Sequence, residues 1–384
     1  MSMGAGFALP DAGIFVGRVW RPGIGPALVV LRDGTVVDVT APDAPTMRDL
    51  LEIEDPAGWL AAAPGETLCD LADLQVTGAG SDRLHLLSPA DLQAIKASGV
   101  TFAESMVERV IEEQAAGNPD LAAEIRARIG ARVGDNLRGI VPGSERAAEV
   151  KRVLLTEGLW SQYLEVGIGP DAEIFTKCQP MASVGWGADV GLHPISRWNN
   201  PEPEIVLAVD SRGRIRGASL GNDVNLRDVE GRSALLLGKA KDNNASAAIG
   251  PFIRLFDADW GLDDIRRAEL TLRVEGADGF VMDGRSSMAR ISRDPADLVA
   301  QARGRHHQYP DGFMLYLGTL FAPTQDRDAP GQGFTHHPGD MVTISEPGLG
   351  ALVNRVALST ECAEWTFGAG ALMRNLAGRG LLSA

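Results

Sequence analysis

The pattern of apolar and polar positions changes its period several times along the chain. Within Gly13 to Thr40 it follows strand logic. Ala27 to Leu31 is a continuous apolar run, Arg32-Asp33-Gly34 is a hairpin turn, and Thr35 to Thr40 is rich in β-branched residues. Met47 to Ile53 and Pro56 to Ala62 read as short helices. Ser88-Pro89-Ala90-Asp91 has a serine cap, a proline in the first turn and an early acid, which predicts a helix ending at Ser98-Gly99. Val107, Val110 and Ile111 then keep helical spacing, Asn118-Pro119 interrupts it, and Pro119 to Ile129 resumes it. Ser144 to Glu157 is a further amphipathic helix with Val150, Val153 and Leu154 on one side, and Leu164 to Gly169 is expected to be a strand.

Downstream the β pattern dominates. Ile205-Val206-Leu207-Ala208-Val209 is a buried strand, Asp210-Ser211-Arg212-Gly213 a turn, and Arg214 to Leu220 the returning arm. Ala268 to Val274 alternates as a strand, Asp294-Pro295 opens a short helix to Arg303, and Met314 to Thr319 is a strand. The Gly-rich stretch Val184 to His193 either lines a cleft mouth or is a plain loop. These elements predict an N-terminal accessory lobe over 1–98, a helical lid and connector over 99–160, and a catalytic domain over 161–384.

Composition narrows the function classes. The 384-residue chain carries a formal net charge of −15, and no Lys/Arg-rich run stands out. This argues against nucleic acid and anionic membrane as partners, and fits an enzyme that needs a cation to attract an anionic substrate. Cys69, Cys178 and Cys362 lie far apart with no CxxC, which reads as three reduced thiols in a cytoplasmic protein. The first residues show no basic-then-apolar leader, and no run is long enough to cross a membrane.

The candidate chemistry lies in Trp198 to Asp228. Glu202 and Glu204 are two residues apart, so on a strand both carboxylates point to one face. Asp223 ends the hairpin's second arm and can fold back beside them. Three carboxylates in a partly buried site repel one another and lose hydration, and a divalent cation removes that cost. An all-oxygen donor set suits Mg²⁺, with Mn²⁺ as the alternative, and not zinc. The paired histidines His306-His307 and His336-His337 are weaker metal candidates, because adjacent side chains point apart on a strand.

Glu-Pro-Glu-Ile-Val-Leu at 202–207, Gly-Asn-Asp-Val-Asn-Leu-Arg-Asp at 221–228 and Gly-Lys-Ala-Lys-Asp at 238–242 together resemble the fumarylacetoacetate hydrolase superfamily. The resemblance runs from about Gly99 to Val356. It implies an α+β fold: a mixed β-sandwich roll with a smaller N-terminal β-containing lobe and a helical lid, assembled as a homodimer or homotetramer. It also implies Glu202, Glu204 and Asp223 as magnesium ligands and Lys241, in preference to Lys239, as the lysine completing the site. Thr319, in a Leu-Gly-Thr segment, is implied near the substrate carboxylate. Arg227 is implied to neutralise the carboxylates or touch substrate, although Arg227 and Asp228 could also simply pair with each other. Lys177, in Ile-Phe-Thr-Lys, reads as structural. Pro338 to Val342 and Gly348 to Val356 resemble the closing strands of the fold.

Two departures shape the functional expectation. The family's lid carries a His-x-x-Glu pair that activates water. Here Ser105 stands at the His position and Glu108 keeps the Glu. Glu230 stands where the family often has Gln. A serine alone is no general base near neutral pH, which favours a reaction that needs no activated water. The resemblance is strongest to the branch that dehydrates 2-keto-3-deoxy sugar acids. This implies loss of water from a small anionic 2-keto acid, a 2-keto-3-deoxy-pentonate of the D-xylonate or D-arabinonate type, giving 2-oxoglutarate semialdehyde. Lys241 would stabilise the enolate or take the C3 proton, Glu108 would protonate the departing hydroxyl, and Ser105 would hydrogen-bond substrate. Acylpyruvate-type hydrolysis or decarboxylation at the same metal site, and non-catalytic keto-acid binding, are the rival expectations.

Overall fold

The computed structural model describes residues 6–76, 83–122, 124–126, 137, 140–321, 323–329 and 333–382. The expected helical continuation toward Ile129 runs past Arg126 and lies outside them. The strands are β1 (Phe15–Arg21), β2 (Gly25–Arg32), β3 (Thr35–Asp38), β4 (Glu66–Asp70), β5 (His85–Leu87), β6 (Ala94–Gly99), β7 (Glu173–Cys178) and β8 (Asp189–Leu192). They continue as β9 (Pro203–Val209), β10 (Ile215–Asp223), β11 (Ala247–Leu255), β12 (Glu269–Glu275), β13 (Val281–Ser287), β14 (Phe313–Tyr316), β15 (Met341–Glu346) and β16 (Gly350–Leu358).

Among the described residues these strands form two mixed sheets, as the α+β sandwich expectation requires. The larger runs β4-β3-β2-β1-β11-β10-β9-β14-β6-β7, with β5 also pairing with β1. The smaller runs β13-β12-β15-β16-β8. β1 pairs antiparallel with β11, so the N-terminal strands extend the same sheet that carries Glu204 and Asp223. β9 shows why both faces of that sheet are buried. Ile205, Leu207 and Val209 enter the core between the sheets, while Val206 and Ala208 enter a second core with Met47, Leu50 and Leu60 of the two short helices. A third apolar cluster joins the helix Ala103–Gln114 to Glu145–Thr156 and Gln162–Ile168.

Two local readings are corrected. Residues 88–98 do not form a helix, because Asp91 serves a different one: its carboxylate accepts the N–H groups of Met47 (2.7 Å) and Arg48 (3.1 Å). Ile95 and Ala97 alternate into the core, and the segment becomes strand β6, parallel to β14. Residues 162–168 are a helix where a strand was expected. Ser161 caps it by accepting the Tyr163 N–H, and Leu164 and Ile168, four apart, bury one stripe. In the helix Glu145–Thr156, Val153 is exposed, and Ala147 and Leu154 make the buried side. The Gly-rich stretch Val184 to His193 contributes β8, which pairs parallel with β16, and it lines a separate groove beside Trp20 and Trp365. The C-terminal helix Ala369–Gly378 folds back on the N-terminal hairpin, where Asn375 donates to the Ile24 carbonyl at 2.7 Å. No described helix is long and apolar enough to cross a membrane.

Candidate metal and active site

Sheet register brings the carboxylates together. Gly221 lies opposite Glu204 and Asn222 opposite Pro203, and the Asp223 N–H reaches the Glu202 carbonyl at 3.1 Å. Directly opposed residues of an antiparallel pair share a face, so Glu202, Glu204 and Asp223 converge at one end of the hairpin. Their oxygens lie within 4.8 Å of one another, and all three residues are buried. The donor set is all oxygen and wholly acidic, and it holds itself together only through neighbouring cations. Those residues fit a hard divalent cation such as Mg²⁺.

Three cationic side chains supply the counter-charge. Lys241 Nζ lies 2.6 Å from Glu202 Oε2 and 3.1 Å from Asp223 Oδ2. Lys239, the competing lysine, is exposed. Lys177, fully buried, places Nζ 2.7 Å from Asp223 Oδ1 and donates to the Val224 carbonyl at 3.1 Å. Arg109 places Nη2 2.6 Å from Glu202 Oε1. Burial alone would raise the Asp223 value, but Lys177 and Lys241 outweigh it and hold it below the usual aspartate value. Burial, with Asp223 and Glu202 nearby, pushes Glu204 well above the carboxylate range, even though the Gly318 N–H donates to its Oε2 at 2.7 Å. Burial alone would lower Lys241; Asp223, Glu202 and Glu230 reverse this and hold it above the ordinary lysine value. Without a metal ion these carboxylates hold the lysine as an ammonium donor.

The cleft over this cluster holds about 530 Å³ of space free of protein atoms, part of it open to solvent. Ser105, Glu108, Arg109 and Glu112 enter it from one stripe of the helix Ala103–Gln114, spaced i, i+3, i+4, i+7. Ser105 Oγ donates to the Phe102 carbonyl at 2.8 Å. Both Glu108 oxygens are engaged: Arg126 binds them at 2.8 and 2.6 Å, and Arg227 reaches Oε2 at 3.2 Å. Arg227 also holds Glu112 at 2.7 Å and the Pro323 carbonyl at 3.0 Å, and stacks on Trp198 at 4.3 Å. It does not pair with Asp228, which turns away to accept Ser196 Oγ (2.7 Å) and the Arg197 N–H (2.8 Å). Thr319 lines the cavity, and its Oγ1 accepts the Phe321 N–H at 3.0 Å. His336 lies elsewhere, its Nδ1 3.0 Å from Asp340 Oδ2.

Glu173 is the site residue that sequence reasoning left without a role. It opens β7, and strand alternation puts Glu173, Phe175 and Lys177 on one face. Glu173 and Phe175 line the cavity, and Phe175 lies 5.8 Å below the Lys241 ammonium. The period of two running back from Lys177 was the available signal. Glu173 as a residue is half-buried, but its carboxyl end lies deep. That burial, with Glu230 adding repulsion, raises its value to about 7. Gly99 makes the fit possible, since a Cβ there would sit 1.9 Å from Glu173 Oε2.

Residues 181–357 match the fumarylacetoacetate (FAA) hydrolase C-terminal family. A probable 2-keto-3-deoxyxylonate dehydratase of Haloferax volcanii is 27% identical over 331 residues, 86% of this chain and 94% of that relative. A 2-dehydro-3-deoxy-D-arabinonate dehydratase of Saccharolobus solfataricus is 28% identical over 184 residues, 48% of this chain and 58% of the relative. Among solved structures, 2-keto-3-deoxy-D-arabinonate dehydratase complexed with magnesium and 2,5-dioxopentanoate superposes with a TM-score of 0.62 at 21% identity, over 90% of this chain and 99% of that one. Its apo form gives 0.63 at 20% identity, with the same coverage. The sandwich, the Glu202/Glu204/Asp223 cluster and this match together make the chain similar to the fumarylacetoacetate hydrolase family over residues 181–357.

Proposed function

We propose that this chain is a magnesium-dependent hydro-lyase that removes water from a 2-keto-3-deoxy-pentonate of the D-xylonate or D-arabinonate type, giving 2,5-dioxopentanoate (2-oxoglutarate semialdehyde). One observation carries the reading: a buried three-carboxylate cation cage shares its cavity with a glutamate poised near pH 7, and no described lining residue of that cavity is a histidine. The relatives' names and the product-bound neighbour support the substrate class.

Glu202, Glu204 and Asp223 would hold the cation, which supplies Lewis acidity to the C1 carboxylate and C2 oxo oxygens and so acidifies the C3 protons. Glu173, with a value close to working pH, is matched to taking the C3 proton and returning it to the departing C4 hydroxyl, which leaves as water. The product at that point has a C3=C4 double bond. Loss of a C5 proton with protonation at C3 moves the double bond to C4=C5, and protonation of that enol at C4 yields the aldehyde. The net change is one water lost, with C5 rising to aldehyde level as C4 is reduced. Lys241, held as an ammonium, would stabilise negative charge developing at the 2-oxo group. Glu108, spanned by Arg126 and Arg227, would fix the helical stripe over the site, and Thr319 and Ser105 would contact the substrate's polar end.

The test is aldehyde formation from 2-keto-3-deoxy-D-xylonate and 2-keto-3-deoxy-D-arabinonate, with Mg²⁺ and with chelator. Metal-dependent 2,5-dioxopentanoate is the expected result. A folded, magnesium-binding protein that yields no aldehyde would overturn the reading and make acylpyruvate C–C hydrolysis the next reaction to assay.

A further inference from the structure

The helical stripe delivers one group that neither the cage nor the proton chemistry requires. Arg109 lies one residue beyond Glu108 and is almost wholly buried by its surroundings. It binds three carboxylates at once: Glu202 Oε1 through Nη2 at 2.6 Å, and Glu112 Oε2 (2.8 Å) and Glu230 Oε2 (3.0 Å) through Nη1. Lys241 takes the other Glu202 oxygen at 2.6 Å. Both oxygens of one cage carboxylate thus accept from cationic donors, and a divalent ion that coordinates Glu202 competes with them for its lone pairs and repels them as like charges.

The two donors are not equally free to yield. Among the described residues Lys241 pairs with the carboxylates of Glu202 and Asp223 alone, both of them cage members. Arg109 keeps Glu112 and Glu230 when it releases Glu202, and its planar fork offers N–H groups in two directions. Glu230 stands where the family often has a neutral Gln, so this chain supplies its own resting partner for the arginine.

We propose that Arg109 is a cation-responsive substrate-binding arm. Without the metal it neutralises Glu202. When the ion takes Glu202, the arm rests on Glu112 and Glu230 and turns its freed Nη2 to the carboxylate of the incoming 2-oxo acid. Metal binding therefore precedes anion binding, and Arg109 opposes the first step while assisting the second. The anion half of this inference rests on the proposed substrate class; the metal half does not.

The experiment is calorimetric titration of chelator-stripped protein with Mg²⁺ alone, then of Mg²⁺-saturated protein with pyruvate, which has the 2-oxo acid head and no 4-hydroxyl to lose. R109Q should bind Mg²⁺ about tenfold more tightly and pyruvate about tenfold more weakly, the scale of one lost charge contact. R109K, a point charge that cannot span three carboxylates, should shift both constants in the same two directions by smaller factors. It also serves as the test if R109Q does not fold. An arginine with only a structural role would give unchanged or weaker binding of both ligands in folded variants, and that outcome overturns the proposal. Absence of dehydratase turnover alongside the opposed shifts would instead count against the assigned reaction and leave the arm intact.

Discussion

Replacing Glu173 with glutamine should stabilise the metal-free protein while removing its activity, and the effect should depend on pH. An ordinary glutamate near 4.5 is raised here to about 7, so between those values the folded chain binds a proton that the unfolded chain has released. Stability then falls as pH rises through that window, by about 1.36 kcal/mol per pH unit, and stays low above pH 7. The full interval corresponds to about 3 kcal/mol. Because Glu173 is only half-buried and the cavity admits some water, about 1–3 kcal/mol is the expected penalty. Glutamine keeps the shape and removes the charge. In chelator, thermal and urea unfolding of E173Q should match the parent at about pH 4, below both values, and exceed it by that amount at about pH 8. Turnover with Mg²⁺ should fall by at least ~10². Equal stabilities at pH 8, or turnover within a few-fold of the parent, would refute the assignment of Glu173 as a buried, proton-holding carboxyl that performs the acid–base work.

Magnesium at about one hundred times its dissociation constant should stabilise the chain by about 2.7 kcal/mol, and D223N should abolish that gain in a thermal-shift titration, because the cage then lacks one ligand. Gly318 has φ of +88°, a Cβ there would lie 2.1 Å from Thr101 Oγ1, and its N–H holds Glu204. G318V should therefore lower both the unfolding midpoint and magnesium affinity, the latter measured by calorimetry. R227A takes from Glu112 and Glu108 one of their two arginine partners, leaving Arg109 and Arg126, and should cost about 1.5–3 kcal/mol in denaturant unfolding. R227K should restore little of this, since an ammonium cannot reproduce the fork or the stack on Trp198.

How far the sequence went depended on how local each feature is. The hairpin around Asp210-Ser211-Arg212-Gly213 was legible because strand alternation and turn chemistry act over a few residues, and the two-residue spacing of Glu202 and Glu204 by itself puts both on one face. Lys241 was preferred to Lys239 on the family resemblance, and the fold places it against Glu202 and Asp223. Segments whose local signals compete were misread. The signature at Ser88 to Asp91 has every mark of a helix start, but Asp91 caps the helix at Met47, across 44 residues of chain. Sequence spacing does not record such a contact.

The sequence determined the carboxylate cluster, since Glu202 and Glu204 two residues apart share a face and the hairpin register brings Asp223 beside them. Only the tertiary structure decided what the cage does with its neighbours. Glu173 acquires its raised value from burial beside Glu230, Lys241 is held as an ammonium by carboxylates from other elements, and Arg109 crosses 93 residues of chain to reach Glu202. Protonation and pairing are set by distance and dielectric, which depend on the packed fold, whereas strand faces and turns follow from the covalent geometry of neighbouring residues.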